Sequence, residues 1–256
     1  MFFSSCIRSI LNPKLVDNIK RTLGFASFDV DYELSKISRL GRFKTGETNL
    51  IQPNFRFIDS ESFINQFIEI YRNDILSFNT DRSNPLVLDC GSNVGVSVCY
   101  FKSIFPSSKI IAFEPDLEIF SVLEHNTRCF DPSELEIHNK AVWTEETKLS
   151  FQSDGADGGR LLNHGKQSVC AVKLSDYLQT KVDMLKIDIE GAENQVIPNL
   201  LKKKIFPTQI LVEFDELATN FIFPYLKALT IFLKLKIHSY ELVKTNQFPN
   251  FLFVKK

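Results

Sequence analysis

The chain has 256 residues, of which 44% are hydrophobic, and this length allows one α/β domain with an appended segment. Its 30 basic and 31 acidic side chains leave a net charge of -1 at pH 7. This balance excludes a general electrostatic attraction to nucleic acid or to anionic membranes, so that either partner would require a local patch of charge.

The five cysteines lie far apart, include no CxxC pair and are odd in number, which predicts neither a zinc site nor a disulfide framework. The apolar N-terminus is interrupted by Arg8 and followed by Pro13, so we expect no signal peptide. No stretch approaches the roughly 18 apolar residues of a membrane span. Together these features predict a soluble, cytoplasmic protein.

The chain divides by pattern into two parts. Residues 1–84 carry no repeated strand pattern and are expected to form a mainly helical cap segment, whereas residues 85–256 are expected to form the main domain. Within the first part, residues 61–76 space their apolar side chains at three and four positions. This spacing predicts an amphipathic helix.

From Pro85 onward, short apolar runs alternate with helical segments. The runs cover 85–90, 109–115, 135–143, 182–190 and 208–216, and the helices between them lie near 95–105, 116–128 and 191–204. Such alternation predicts a doubly wound, mostly parallel Rossmann-like sheet with helices on both faces. A last pair of runs, 236–245 and 250–256, completes seven strands as an antiparallel edge. Glycines and polar residues predict a flexible loop over 153–166.

The stretch "VLDCGSNVGVSV" (87–98) places Asp89, Gly91 and Gly95 at the end of the first of these strands. Its glycine spacing is GxxxG rather than the GxGxxG of dinucleotide-binding folds. A carboxylate at Asp89 would repel a pyrophosphate, which such turns otherwise attract. A cationic ligand reverses the sign, so we expect S-adenosylmethionine (SAM), with Asp89 facing its amino group. Glu114 ends the next predicted strand, where an acidic side chain accepts hydrogen bonds from ribose hydroxyls.

The sequence resembles a known family in "LDCGSNVGVSV", "IIAFEPD", "LSDYL" and above all "VDMLKIDIEGAENQVI". These motifs, within residues 85–216, are similar to those of the FkbM-type SAM-dependent methyltransferases, whose members mostly methylate hydroxyl groups of sugars and natural products. The resemblance implies cofactor-binding positions at Asp89, Gly91, Asn93, Gly95, Glu114 and Pro115, and an acidic block at Asp188, Glu190 and Glu193. Two positions depart from the family pattern: Ser92 replaces the usual alanine, and Pro198 predicts a short or broken helix after "EGAE".

Methyl transfer to an alcohol requires alignment of the acceptor oxygen and removal of its proton. Asp188 follows the fourth strand, with Lys186 on the same face, and Glu213 ends the fifth. If these strands are neighbours, Asp188 and Glu213 converge, and the pair provides either a base or ligands for a divalent cation. His164, in the glycine-rich loop, is an alternative base. We therefore expect the catalytic residues among Asp188, Glu213, Lys186 and His164.

The lysines of "LKKK" (201–204) stand at a predicted helix end, without the basic stripe or aromatic platform of a nucleic-acid site, so no nucleic-acid partner is expected. The favoured function is SAM-dependent O-methylation of a sugar, glycan or small-molecule acceptor. A catalytically inactive SAM-binding scaffold or sensor is the alternative, and a nucleotide-dependent oxidoreductase is the third possibility. The sequence specifies neither the acceptor nor the oligomeric state.

Overall fold

The computed structural model describes residues 29–153, 159–161, 167–189, 191–214, 217, 222–244 and 248–256. The helices in these ranges are α1 (Val30–Ser38), α2 (Ser60–Phe67), α3 (Val96–Ile104), α4 (Leu117–Thr127), α5 (Glu193–Lys202) and α6 (Ile222–Ile237). The strands are β1 (Gly46–Thr48), β2 (Phe55–Phe57), β3 (Leu86–Cys90), β4 (Lys109–Phe113), β5 (Leu135–His138), β6 (Ala141–Trp143), β7 (Thr147–Gln152), β8 (Arg160–Leu161), β9 (Gln167–Lys173), β10 (Met184–Ile187), β11 (Gln209–Glu213), β12 (Tyr240–Lys244) and β13 (Asn250–Lys255).

The central sheet has seven strands in the order β12-β13-β11-β10-β3-β4-β5. Strands β5, β4, β3, β10 and β11 pair in parallel, whereas β13 runs antiparallel to both β11 and β12. This confirms the predicted mostly parallel sheet with an antiparallel edge. The strand order reverses between β3 and β10, and in such sheets ligands bind outside the carboxyl ends of the strands at this switch point.

Helices cover both faces of this sheet, as predicted. Val87 of β3 packs into the core that contains α3 and α4, and its neighbour Leu88 packs into the core that contains α5 and α6. Successive side chains of a strand point to opposite faces, so one strand supplies both cores. Helix α6 was not predicted, because its apolar residues surround the helix and obscure the period of 3.6 residues.

A second sheet was missed by the sequence analysis. Its four strands have the order β6-β9-β7-β8. The single run predicted over 135–143 is wrong: β5 pairs with β4, and β6 then pairs with β9 in the second sheet. The chain turns between them, where the N–H of Lys140 donates to the carbonyl of His138 at 2.9 Å. Strand β8 lies within the predicted flexible loop, whose other residues are described only in part.

Helix α2 begins at an Asp59 cap, which accepts a hydrogen bond from the N–H of Ser62 at 3.0 Å. It is shorter than the helix predicted over 61–76, because the chain continues as a π-helical turn (Ile68–Arg72). The ring of Phe67 stacks 5.2 Å from Tyr71, which meets Tyr100 of α3 at 5.4 Å. The described part of the N-terminal segment therefore packs on the main sheet's helices. The domain boundary at residue 84 stays a prediction.

Helix α5 runs without interruption through Pro198, so the predicted break is wrong. The buried side chains on either side of the proline, Val196, Ile197, Leu200 and Leu201, hold the helix against the core despite the lost backbone hydrogen bond. Glu193 orders the start of the helix by accepting hydrogen bonds from the N–H groups of Ile189 and Gly191 at 3.1 and 3.2 Å. Within the described ranges, no helix has the length and hydropathy that crossing a membrane requires.

Candidate active site

A cavity of about 240 Å³ lies at the carboxyl ends of β3, β4, β10 and β11. Helix α2 closes one side and the second sheet another, through Val142 of β6 and Phe151 of β7. A smaller cavity of about 50 Å³ adjoins it. Six residues line both cavities. They belong to the turn after β3, to the ends of β10 and β11, and to the α2 segment, which is α2 with the π-helical turn that follows it: Gly91, Asn93, Asp188, Glu213, Gln66 and Glu69.

The turn after β3 is held tightly between the two neighbouring strands. Gly91 has a φ of +85°, and a Cβ there would lie 1.8 Å from the carbonyl oxygen of Asp188. On the other side, the N–H groups of Gly91 and Ser92 donate to the carbonyl of Phe113 at 3.0 and 2.9 Å. Glycine is therefore required at position 91 by the approach of β10, whether or not a ligand is bound. Gly95, with a φ of +93°, lies at the start of α3 and does not line either cavity.

Asp89 lies behind this turn and is fully buried. One carboxylate oxygen accepts a hydrogen bond from Ser97 Oγ at 2.5 Å, and the other lies 3.3 Å from Lys186 Nζ in an ion pair without hydrogen-bond geometry. Asp89 does not line either described cavity. This placement differs from the expectation that Asp89 faces the ligand's amino group, because Lys186 already compensates its charge.

Lys186 connects the ends of the two central strands. Its Nζ donates to the carbonyl of Gly91 at 2.8 Å and to Asp188 Oδ2 at 3.1 Å. Burial by itself lowers the pKa of Lys186, but the carboxylates of Asp188 and Asp89, with a smaller contribution from Glu213, raise this pKa above its usual value. Lys186 is thus a protonated cation at neutral pH, and it is suited to holding other groups in position rather than to accepting a proton.

Glu114 lies at the end of β4 and lines the larger cavity with Pro115. Its two carboxylate oxygens accept hydrogen bonds from the N–H groups of Asn93 and Asp116 at 3.0 and 2.8 Å. Asn139 Nδ2 donates to the carbonyls of Glu114 and Pro115, both at 3.0 Å. Burial raises the pKa of Glu114 to about 8. The side chain of Glu114 therefore connects the β3 turn with the end of β4 and also reaches the cavity.

Asp188 and Glu213 lie together, as the sequence predicted for neighbouring strands. Strands β10 and β11 pair in parallel with Ile187 opposite Val212, so the next residue of each strand reaches the same edge. Both carboxylates line both cavities. Between the described residues there is no group of three or more histidine, cysteine, aspartate or glutamate side chains suited to a metal ion. Metal binding by Asp188 and Glu213 stays a prediction.

The sequence analysis missed Gln66 and Glu69, which line both cavities from the α2 segment. Their spacing of three places them on one side of a helix, and this is the only signal that the sequence offered. Which surface that side meets is decided by packing. The predicted site residue His164 and the acidic-block residue Glu190 lie outside the described residues.

Comparisons with known proteins find similarity to methyltransferases. Methyltransferase 1 of Beauveria bassiana (strain ARSEF 2860) is 27% identical over 173 residues, which cover 56% of this chain and 66% of that protein. Methyltransferase sdnD of Sordaria araneosa is 28% identical over 178 residues, which cover 52% of this chain and 67% of that protein. A crystal structure of methyltransferase FkbM from Methylobacillus flagellatus KT superimposes with a TM-score of 0.49 at 15% identity, covering 69% of this chain and 45% of that one.

The chain thus spans 66% of the length of the first of these relatives and less than half of the crystallised protein. A family model described as the methyltransferase FkbM domain matches residues 89–242, which is more than half of the chain. The match begins at Asp89 and includes the β3 turn, Glu114, Asp188 and Glu213. The protein therefore belongs to the FkbM methyltransferase domain family.

Proposed function

We propose that the protein is a SAM-dependent methyltransferase that methylates a hydroxyl group of a sugar, a glycan or a small molecule. The observation that carries the proposal is one cavity at the switch point of the sheet that is lined by Glu114, Asp188 and Glu213. The proposal is supported because a side chain suited to a nucleoside and side chains suited to an alcohol line the same space.

The chemistry of the cavity wall fits the proposed cofactor. A ribose offers two hydroxyl donors, and the Glu114 carboxylate retains acceptor capacity beside its two backbone hydrogen bonds. Because burial raises the pKa of Glu114 to about 8, the negative charge of the larger cavity comes from three carboxylates, Glu69, Asp188 and Glu213, against one lysine, Lys140. Such a wall favours a sulfonium and an ammonium group over a pyrophosphate. The electrostatic argument made for Asp89 therefore applies to these side chains instead.

Bound SAM supplies a methyl group that its sulfonium has already activated. The protein must then align the acceptor oxygen, and alignment alone lowers barriers by about 7 to 11 kcal/mol in well-oriented systems. Lys186 holds Asp188 at 3.1 Å, so Asp188 is suited to orient the acceptor hydroxyl as a hydrogen-bond acceptor. Because the Lys186 ammonium already occupies one oxygen of Asp188, we assign proton removal to Glu213.

Isothermal titration calorimetry with S-adenosylhomocysteine tests cofactor binding. The wild type is expected to bind in the micromolar range. Glu114→Ala is expected to bind at least about tenfold more weakly, because the hydrogen bonds between Glu114 and the ribose hydroxyls are lost. Glu118→Ala is the matched control, because Glu118 is exposed in the first turn of α4. Circular dichroism shows whether each variant is folded. Absence of binding by the folded wild type contradicts the proposal.

Transfer of a labelled methyl group from SAM to a panel of sugars, glycans and small alcohols tests the reaction. Incorporation into a hydroxyl-bearing acceptor supports an O-methyltransferase. If the wild type binds S-adenosylhomocysteine but transfers no label to any member of the panel, the result favours the catalytically inactive scaffold instead.

A further inference from the structure

Helix α6 carries a stripe of apolar side chains on its solvent side. Ile222, Leu226, Leu229, Leu233 and Ile237 are between 50% and 79% exposed. Their spacing of three and four residues aligns them along one side of the helix. At 1.5 Å per residue, a helix of 16 residues makes this stripe about 24 Å long. An exposed apolar surface of this length and continuity is uncommon on a soluble domain and marks a site of interaction.

The opposite side of α6 is anchored in the protein, so the stripe is presented by a packed element. Ala228, Ile231 and Leu235 are buried in the core beneath the central sheet. The ring of Phe232 meets Phe251 and Phe253 of β13 at 4.9 and 5.0 Å. The apolar stripe is therefore a second face of the helix, separate from the face that packs on the sheet.

Lysines flank the stripe, and no acidic residue stands between Ile222 and Ile237. Lys227 and Lys234 follow one flank, seven residues apart, and Lys236 lies on the other. All three are exposed. The whole chain has a net charge of -1, whereas α6 by itself carries three positive charges and no negative charge.

We propose that this face of α6 binds the surface of a membrane that contains anionic lipid. An interfacial helix places its apolar side chains at the boundary between headgroups and acyl chains, while lysines on its flanks meet anionic headgroups. The stripe and its lysines have both properties. The helix lies on the bilayer and does not cross it.

The charge pattern favours lipid over a second copy of the chain. Two α6 stripes could pack face to face in two ways. In an antiparallel pair, each flank of one helix lies beside the same flank of the other helix. In a parallel pair, each flank lies beside the opposite flank. Lysine meets lysine in either arrangement, and the helix itself contains no carboxylate. Anionic headgroups instead complement all three lysines.

Sedimentation of the full chain with vesicles tests the proposal. Vesicles of phosphatidylcholine mixed with phosphatidylserine are compared with vesicles of phosphatidylcholine alone, at low and high salt. The wild type is expected to bind the anionic vesicles more strongly, and high salt is expected to weaken this preference. Leu229→Ser with Leu233→Ser is expected to lower the partition coefficient by about tenfold or more, because two exposed leucines no longer enter the lipid.

A charge variant separates the two contributions. Replacing Lys227, Lys234 and Lys236 by glutamine is expected to weaken binding to anionic vesicles by about fivefold for each lysine, with little effect on phosphatidylcholine vesicles. Matched controls are Leu40→Ser, an exposed leucine after α1, and glutamine at the exposed lysines Lys44, Lys148 and Lys181. All these positions lie outside the cavity walls, so calorimetry with S-adenosylhomocysteine tests the proposed function independently.

Two results would overturn the proposal. One is a wild type that fails to bind anionic vesicles, or that loses binding equally in the control variants. The other is self-association of the wild type in sedimentation equilibrium that the double leucine variant abolishes, without any binding to vesicles, since the stripe is then an interface between copies.

Discussion

Lys186 and Asp89 are partners in the parallel register of β10 and β3, and the Lys186 ammonium lies 3.3 Å from the buried Asp89 carboxylate. The same ammonium holds the β3 turn through the carbonyl of Gly91 and holds Asp188 at the cavity wall. A buried charge pair thus positions both the proposed cofactor turn and the carboxylate that we propose to bind the acceptor. Lys186 acts in the site through these partners.

Removal of the Lys186 charge is expected to destabilise the fold. Lys186→Met leaves Asp89 buried and uncompensated, and breaking a buried pair in this way costs about 3 to 5 kcal/mol. Urea unfolding measures the loss. Lys36→Met, at an exposed pair with Glu33, is the control and should change the unfolding free energy by less than about 1 kcal/mol. Adding Asp89→Asn to Lys186→Met should recover part of the loss; a double variant that simply adds a second loss would contradict the pairing.

Gly91 and Gly41 provide a matched comparison, because both have positive φ values, +85° and +78°. Gly41→Ala should cost about 1 to 2 kcal/mol, since a Cβ there meets nothing within 4 Å and only the backbone conformation is strained. Gly91→Ala should cost about 1 to 3 kcal/mol more, because its Cβ overlaps the Asp188 carbonyl oxygen and the strand must shift. Thermal and urea unfolding measure both. Equal losses at the two positions would show that β10 does not require the glycine.

Glu114 should make stability depend on pH. Burial raises its pKa from an ordinary value of 4.5 to about 8, so the folded chain holds this proton more tightly than the unfolded chain. The resulting stabilisation is full below pH 4.5 and is lost as the pH rises to about 8, at up to about 1.4 kcal/mol per pH unit. Urea unfolding between pH 5 and pH 8 should therefore show a shallower decline for Glu114→Gln than for the wild type. Parallel declines would exclude Glu114 as the source.

Asp188 and Glu213 should differ in their effects on catalysis. Glu213→Gln removes the proposed proton acceptor and is expected to lower kcat by about 10²- to 10⁴-fold. Asp188→Asn keeps an oxygen for Lys186 and the acceptor hydroxyl, so we expect mainly a higher KM for the acceptor. Asp176→Asn, on the exposed turn after β9, is the control. Labelled methyl transfer with an acceptor from the panel measures these constants, and the reverse order of effects would assign proton removal to Asp188.

The alternation of apolar runs and helices was sufficient to predict the seven-stranded sheet, its antiparallel edge and the meeting of Asp188 with Glu213. These features follow from local periodicity and from the rule that parallel strands end at one edge. The second sheet was not predictable in this way, because its turn at Lys140 lies inside one apolar run. The prediction of a break at Pro198 failed for a related reason. The burial of neighbouring side chains in the core stabilises α5 by more than the proline's missing hydrogen bond destabilises it.

By itself, the sequence determined which residue types stand at the strand ends, and so the family and the position of the site along the chain. Only the tertiary structure decided which of these groups face the cavity. Asp89 is neutralised behind the turn because its register partner is a lysine, whereas Gln66 and Glu69 reach the cavity because ring packing seats α2 over it. Charge compensation and the choice of a helix's buried face both depend on residues far away in sequence. Periodicity and spacing therefore do not predict these two features.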